Sequence, residues 1–157
     1  DNHICISRTI DGQFPNYMQV VPKESEYVFS LQRDKLLEYA QRACKVLNET
    51  GKSTWQVFRK LVVDIKVDKA TMSATYDIDY IKTPEHLEPF FIGLNMFYVK
   101  DALELITTAN VMISLKSMLS PVTIGPDTTG LLDETMTTTV VIMPIQIRIE
   151  EEERESA

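Results

Sequence analysis

The sequence predicts an α+β domain in which two helices pack on antiparallel sheets. Two stretches carry apolar residues at helical spacing, and several others alternate apolar with polar residues, as strands with one wet face do. Segments 28–40 and 91–103 can be aligned with an offset of 63 residues. Each half is therefore predicted to run β, α and then two or three strands, as a β-α-β-β-(β) unit that occurs twice.

The first predicted half places one helix between strands. Residues 4–10 and 24–29 are predicted strands, and Ser30 is the expected N-cap of the helix that follows. That helix is predicted to bury one face, formed by Leu36, Ala40, Ala43 and Leu47. Gly51 is typical of a residue that ends a helix. Alternation then predicts strands at 61–68 and 71–80.

The second half repeats this order. A strand at 90–95 leads into a helix with a second apolar stripe, formed by Met96, Val99, Leu103 and Ile106. Strands are predicted to follow at 110–117, at 120–125 and, as one long final strand, at 137–150.

A stiff connection lies between the first two predicted strands. Its sequence, IDGQFPNYMQVVP at residues 10–22, contains two prolines, and proline cannot donate a ladder hydrogen bond. This segment is therefore not expected in the middle of a central strand.

Composition limits the possible classes of protein. A chain of 157 residues with 44% hydrophobic and 25% charged residues is typical of one globular domain that needs no disulfide or metal. The formal net charge is −7, whereas proteins that hold nucleic acid by affinity alone are usually basic. The acidic residues 150–157 are predicted to be a disordered, solvated tail.

Cysteine usage and hydropathy give an expected location. Cys5 and Cys44 lie far apart without metal-like spacing, so both are interpreted as core thiols of a reducing compartment. No apolar run approaches the roughly 20 residues that span a membrane, and DNHICIS does not resemble a signal peptide. A cytoplasmic location is therefore expected.

Three separated motifs carry a resemblance to a known family. They are SRTIDGQFPNYMQVVP at 7–22, IGLNMFYVKDALELI at 92–106, and the pair SPVTI at 120–124 with VVIMPIQI at 140–147. In order and spacing they resemble the C-terminal third of the bacterial sliding clamp, the β subunit of DNA polymerase III. The resemblance covers nearly the whole chain and is weakest between about residues 48 and 90.

The resemblance implies a domain organisation and a role. Residues 1–15 would be the last strand of a middle clamp domain and the crossover, and residues 16–149 the C-terminal clamp domain. Subunits of this family have three such domains, and two subunits close a ring around duplex DNA, so this chain would be part of a ring. The implied function is that of a non-catalytic, cytoplasmic and nucleoid-associated processivity factor, without cofactor or metal.

The resemblance also implies a groove that binds short partner peptides containing Gln and Leu or Phe. The implied partners are the polymerase catalytic subunit, the clamp loader, mismatch-repair proteins and translesion polymerases. Its lining would comprise Pro15, Val20, Leu119, Pro121, Val141, Ile142, Met143, Pro144 and Ile145, with Asn95 and Tyr98 at its border. The family often has basic residues where Met18, Gln19 and Gln146 stand, so the polar contacts to the peptide are expected to differ here.

Two further surfaces follow from the same resemblance. The helices would line the DNA channel, where the candidate contacts are Arg33, Lys35, Arg42, Lys45, Lys52 and Lys100. The alternative interpretation of these residues is a solvated helix face. Val46 and Leu47, at the end of the first helix, would contact the first domain of a second subunit, unless both simply belong to the core.

Other patterns point to no active site. Asp77 and Asp79 are expected on one solvated strand face without a third ligand, and His3 and His86 have no Cys or Ser partner at a recognisable spacing. The turn GPDTTG lacks the Lys-Ser/Thr pair of a phosphate-binding loop. An alternative to the clamp is a stand-alone peptide-binding or dimerising module that shares ancestry with clamps but encircles no DNA.

Overall fold

The structure is a computed structural model that describes residues 12, 16–86, 88–128 and 138–147. A single 3-10 turn at Tyr17–Gln19 precedes the regular elements. In chain order these elements are β1 (Tyr27–Gln32), α1 (Arg33–Cys44), β2 (Lys52–Val57), β3 (Lys60–Val67), β4 (Ala70–Asp77), β5 (Asp79–Lys82), β6 (Phe90–Asn95), α2 (Met96–Leu105), β7 (Asn110–Leu115), β8 (Val122–Pro126) and β9 (Val140–Ile142).

The strands form two sheets, and every pair of neighbouring strands is antiparallel. The five-stranded sheet has the order β5-β1-β7-β8-β9, and the four-stranded sheet has the order β4-β3-β2-β6. The two helices pack against each other and, through their apolar faces, against the strands. The predicted α+β class is confirmed.

The topology confirms the predicted duplication. The pairs β1–α1 and β6–α2 begin 63 residues apart, the offset found in the sequence. In the first half β1 lies in the five-stranded sheet, β2 to β4 lie in the other sheet, and β5 returns to pair with β1. In the second half β6 lies in the four-stranded sheet, β7 to β9 lie in the other, and Ile145 returns to bridge Gly93 in β6.

Helix α1 begins later than the sequence indicated. Ser30 was the expected N-cap, but it remains in β1, where it faces Asp79 of β5 and Met112 of β7. Its buried hydroxyl donates a hydrogen bond to Asp127. Because both neighbouring strands pair with β1 at this residue, the strand continues to Gln32 and the helix starts at Arg33.

The buried faces of both helices agree with the predicted stripes. Leu36, Ala40 and Ala43 are buried in α1, and Leu47 lies beyond the helix end, half-buried against the core. Cys44 is also half-buried there, and burial raises the pKa of its thiol. Cys5 lies outside the described residues. The second stripe is buried in full: Met96, Val99, Leu103 and Ile106.

Two predicted strands are divided between the sheets. The stretch predicted at 71–80 breaks at Ile78, so that β4 belongs to one sheet and β5 to the other. The prediction of one long final strand is also wrong, because β9 ends at Ile142. Pro144 follows, and proline cannot donate a ladder hydrogen bond. Both breaks move the chain from one sheet to the other.

Strand β2 was not predicted. Its residues alternate, with Ser53, Trp55 and Val57 buried and their neighbours less so. Ser53 obscured the pattern because it is polar. Its hydroxyl is satisfied inside the core, where it donates to the Leu94 carbonyl at 2.8 Å and accepts from the Trp55 indole N–H at 2.9 Å.

Tyr39 links α1 to the four-stranded sheet. Its phenol lies 3.0 Å from the Val63 carbonyl oxygen and 2.7 Å from that of Met72, so its single proton is shared between two strands. Burial, with a smaller contribution from Asp64, raises the pKa of Tyr39 to about 12.

A Tyr39→Phe substitution should lower the free energy of unfolding by about 1–3 kcal/mol, because two buried carbonyls lose their donor. The raised pKa means that above about pH 10 the unfolded chain releases the phenol proton first. Stability should therefore fall as pH rises from about 10 to 12, and fall less steeply in Tyr39→Phe. Urea denaturation at several pH values measures both effects. The exposed Tyr98→Phe serves as the control, and an equal pH slope in both variants would contradict the assignment.

Candidate functional site

The chain between the 3-10 turn and β1 forms one wall of a groove. Gln19 donates its backbone N–H to the Asn16 carbonyl at 3.2 Å, which closes the turn. Met18 and Val20 are both exposed there despite being large and apolar. Pro22 follows, and its fixed φ stiffens the segment. This part of the predicted stiff connection therefore presents apolar side chains to solvent.

The opposite wall combines two other parts of the chain. Ser120 and Pro121 lie in the turn before β8, and Met143 follows β9. Met143 stands where the chain leaves one sheet for the other, between the β8–β9 ladder and the 2.8 Å hydrogen bond from Ile145 N–H to the Gly93 carbonyl. The backbone is thus fixed on both sides of Met143, and the Met143 side chain is 55% exposed.

The two walls enclose a groove of about 1040 Å³, which we call the Met143 groove. Its lining residues are Asn16, Met18, Gln19, Val20, Val21, Pro22, Lys23, Glu24, Lys116, Ser120, Pro121 and Met143. Lys116 and Glu24 form an ion pair at 3.8 Å at one end. The groove can therefore accept an apolar chain segment with polar groups at its ends, since methionine adapts to several shapes and proline walls are rigid.

Only some of the predicted groove residues lie in this lining. Val20, Pro121 and Met143 do, whereas Leu119 lines a neighbouring hollow. Ile142 was also predicted to line the groove, and this is wrong. It is 2% exposed and packs in the core, because β9 turns that side chain inward. The half-buried remainder of the final segment lies outside the groove lining: Val141, Pro144 and Ile145.

The two predicted border residues lie at the start of α2, and Pro15 falls outside the described residues. Asn95 has a structural task, since its side-chain oxygen accepts the Phe97 backbone N–H at 2.9 Å and caps the helix. Tyr98 is exposed on α2. Neither residue lines the Met143 groove within the described part of the chain.

The sequence did not single out the charged end of the groove. Lys23, Glu24 and Lys116 line it, although Lys116 follows the end of β7, far from the other two in the chain. No local pattern could pair Lys116 with Glu24, because only the sheet brings them together. Val21 and Pro22 were visible as an apolar continuation of the stiff segment.

The candidate DNA contacts have different environments. The Arg33 side chain is partly buried, with its Nε donating to the Leu103 carbonyl at 2.9 Å and its Nη1 2.7 Å from Asp34. Lys100 lies 3.2 Å from Asp101 and 3.8 Å from Glu104, and these acidic groups raise its pKa. The other four candidates are exposed, namely Lys35, Arg42, Lys45 and Lys52.

Val46 is 51% exposed just beyond α1. It lines a hollow of about 560 Å³ together with the β3–β4 hairpin residues Val67, Ala70 and Met72. Within the described residues β4 pairs with β3 alone and so lies at the edge of its sheet. Leu47, in contrast, is half-buried against the core.

Acidic residues do not assemble into a metal site in the part of the chain that the structure describes. Asp77 instead lies 3.0 Å from Lys60 across the β3–β4 ladder, and that hydrogen bond and charge lower its pKa. None of the described helices has the length and apolar character needed to cross a bilayer.

No protein-family model matches the chain. Its curated relatives include the beta sliding clamp of Synechococcus elongatus, which is 28% identical over 147 residues, or 90% of this chain and 36% of the relative. The beta sliding clamp of Caulobacter vibrioides is 30% identical over 98 residues, or 60% of this chain and 25% of the relative. The matched part of the chain thus spans about a third of the first relative and a quarter of the second.

Solved structures give the same result for the fold. The beta sliding clamp of C. crescentus has a TM-score of 0.75 at 21% identity, over 90% of this chain and 35% of that one. A DNA polymerase sliding clamp from Pseudomonas aeruginosa has a TM-score of 0.73 at 22% identity, over 88% of this chain and 36% of that one. The fold is that of a sliding-clamp domain.

Proposed function

We propose that this chain, a relative of the bacterial beta sliding clamps by sequence and by fold, acts as part of a replication processivity clamp. Residues 16–149 would be its C-terminal domain and residues 1–15 the end of the middle domain. In this role it has no active site of its own and works in the cytoplasm at the nucleoid. It forms part of a homodimeric ring around duplex DNA and docks other proteins.

One observation carries the docking proposal. The Met143 groove presents exposed apolar side chains on backbone that is fixed by a turn, by prolines and by two sheets. A monomer gains nothing from holding such side chains in water, whereas a partner peptide can cover them. We infer that the groove binds short Gln- and Leu/Phe-containing segments of polymerases, the clamp loader and repair proteins.

The expected affinity is modest. Burying one leucine or phenylalanine side chain contributes about 1.5–3 kcal/mol. Two such anchors contribute about 3–6 kcal/mol in total, before the cost of ordering the peptide. The upper part of that range, roughly 5–6 kcal/mol, corresponds to dissociation constants of tens to hundreds of micromolar. We therefore expect weak, saturable binding by the chain.

Fluorescence anisotropy tests this proposal with a labelled peptide that carries Gln and a Leu-Phe pair, here called the core peptide. We expect saturable binding to the wild-type chain and at least tenfold weaker binding to a Met143→Ala, Pro144→Ala double variant. Leu105→Ala is the matched control, because Leu105 is also exposed and apolar but lies at the end of α2. Equal affinity of the double variant and the control would contradict the proposed site.

We propose that DNA is held by enclosure rather than by strong contacts. On α1 and at its C-cap, exposed Lys35, Arg42 and Lys45 are interleaved with acidic residues, and Arg42 already lies 3.9 Å from Glu38. A mixed helix face can make only a few phosphate contacts, which suits sliding. The net charge of −7 would discourage binding of DNA on the outside.

We propose that the subunit contact uses the surface beside Val46. Its apolar side chains and the edge strand β4 would offer burial and a strand edge to the first domain of a second subunit. Leu47 would support this surface from below rather than contact the partner directly, because it is half-buried.

A further inference from the structure

The turn between β7 and β8 presents two large apolar side chains at its tip. Ser120 donates its backbone N–H to the Ser117 carbonyl at 3.2 Å, and the two serine hydroxyls lie 2.6 Å apart. The residues between them are Met118, which is 42% exposed, and Leu119, which is 76% exposed. Turn tips usually carry polar residues or glycine, so an apolar tip on a doubly hydrogen-bonded turn is unusual.

This turn forms one side of a second hollow of about 380 Å³, which we call the Met118 hollow. The opposite side consists of the rings of Tyr27 and Phe90, whose centroids lie 5.1 Å apart. The aromatic pair is anchored in β1 and β6, so this side is rigid. The space suits one or two side chains of a ligand rather than a whole helix.

The Met118 hollow adjoins the Met143 groove. Lys116 lines both, and it forms an ion pair with Glu24, which lines the groove. A peptide that leaves the Met143 groove past Lys116 would therefore meet the Met118 hollow. A second copy of this chain is a poorer occupant, because a stable dimer usually buries roughly 1,200–2,000 Å² and this hollow is small.

The rim of the Met118 hollow is acidic. Glu26 lines it, and Glu88 lies close enough to act on Tyr27. Burial is the main cause that raises the pKa of the Tyr27 phenol, and the charges of Glu26 and Glu88 raise it further. Lys116 is the cation of the hollow, and it is paired with Glu24. A basic ligand side chain would thus be favoured here and an acidic one disfavoured.

We propose that the Met118 hollow binds a second stretch of the peptide that occupies the Met143 groove, with an apolar side chain against Phe90 and Met118 and a lysine or arginine beside Glu26. This inference rests on the proposed docking function and adds a preference for partners with a basic, apolar flank. Such a flank would discriminate among partners that share the same core motif.

Flanked versions of the core peptide test this inference by anisotropy. Four probes carry Ser-Leu-Arg or Ser-Leu-Glu at the amino or the carboxyl end. We expect one Arg probe to bind at least tenfold tighter than the core peptide, and the Glu probe with the same flank position to show no gain. Met118→Ser should abolish the gain without weakening the core peptide, and Glu26→Lys should reverse the preference for Arg over Glu.

Both substituted residues are exposed, so the variants should remain folded, and their melting temperatures check this. Binding of the core peptide without gain from any flank would overturn the inference and leave the proposed function standing. Absence of binding by all probes would overturn both. A gain that survives Met118→Ser, or a change of oligomeric state in that variant instead of a change in affinity, would also overturn it.

Discussion

Replacing Gly93 by alanine should displace Met143 from its position in the groove. A Cβ atom at Gly93 would lie 2.5 Å from the Ile145 carbonyl oxygen and 2.4 Å from the Ile147 Cγ2, closer than real Cβ atoms come. The final segment must therefore move, and the 2.8 Å bond from Ile145 N–H to the Gly93 carbonyl is lost. Overpacking of this kind costs about 1–3 kcal/mol.

The expected functional result is at least tenfold weaker binding of the core peptide, because Met143 is held between β9 and this bond. Gly125→Ala is the matched control, since a Cβ there would meet the Thr139 Oγ1 at an ordinary 3.5 Å. Anisotropy and thermal melting measure both variants. If Gly93→Ala binds like Gly125→Ala, the account of how Met143 is positioned is wrong.

Replacing Trp55 by alanine should have the largest effect on stability. The indole is fully buried between the strands, and its N–H donates to Ser53, which in turn donates to the Leu94 carbonyl. Removing a large buried ring leaves a cavity and typically costs about 3–5 kcal/mol, a large share of the 5–15 kcal/mol by which domains are stable.

Urea denaturation followed by far-UV circular dichroism measures this effect, because the variant lacks the chain's single tryptophan. Trp55→Phe should cost less, since a ring remains in the core. Gln56→Ala, at the next residue of the same strand but on its other face, should change the free energy of unfolding by less than about 0.5 kcal/mol. A loss in Trp55→Ala no larger than in Gln56→Ala would contradict the description of the core.

Much of the fold could be predicted because its signals are local. The apolar stripes from Leu36 to Ala43 and from Met96 to Leu103 can be recognised from neighbouring residues alone. The offset of 63 residues appears when the two halves are aligned. The buried alternation of Leu61, Val63 and Ile65 was equally clear.

The transfers between sheets could not be predicted in the same way. At Ile78 the alternation continues although the chain changes partners, because period two says which face is buried and not which sheet a strand joins. Pro144 was the one local sign that the final strand ends early. The start of α1 was also misplaced, because Ser30 is held by strand partners distant in the sequence.

The groove residues also divide into those that local motifs predicted and those that depend on strand pairing. Val20, Pro121 and Met143 could be named in advance, since they belong to motifs that resemble a known family. The ion pair between Lys116 and Glu24 and the burial of Ile142 depend on strand pairing, which no motif contains.

A titration of the core peptide, followed by methyl NMR of methionine-labelled protein, tests most directly whether the Met143 groove binds the peptide. The chain has seven methionines, and they report on separate places. Met18 and Met143 line the groove, Met72 lies beside Val46, and Met96 is buried in the core. If the peptide binds in the Met143 groove, the signals of Met18 and Met143 should shift saturably with one dissociation constant, while those of Met72 and Met96 stay unchanged. Binding that shifts Met72 and leaves Met143 unmoved would contradict it.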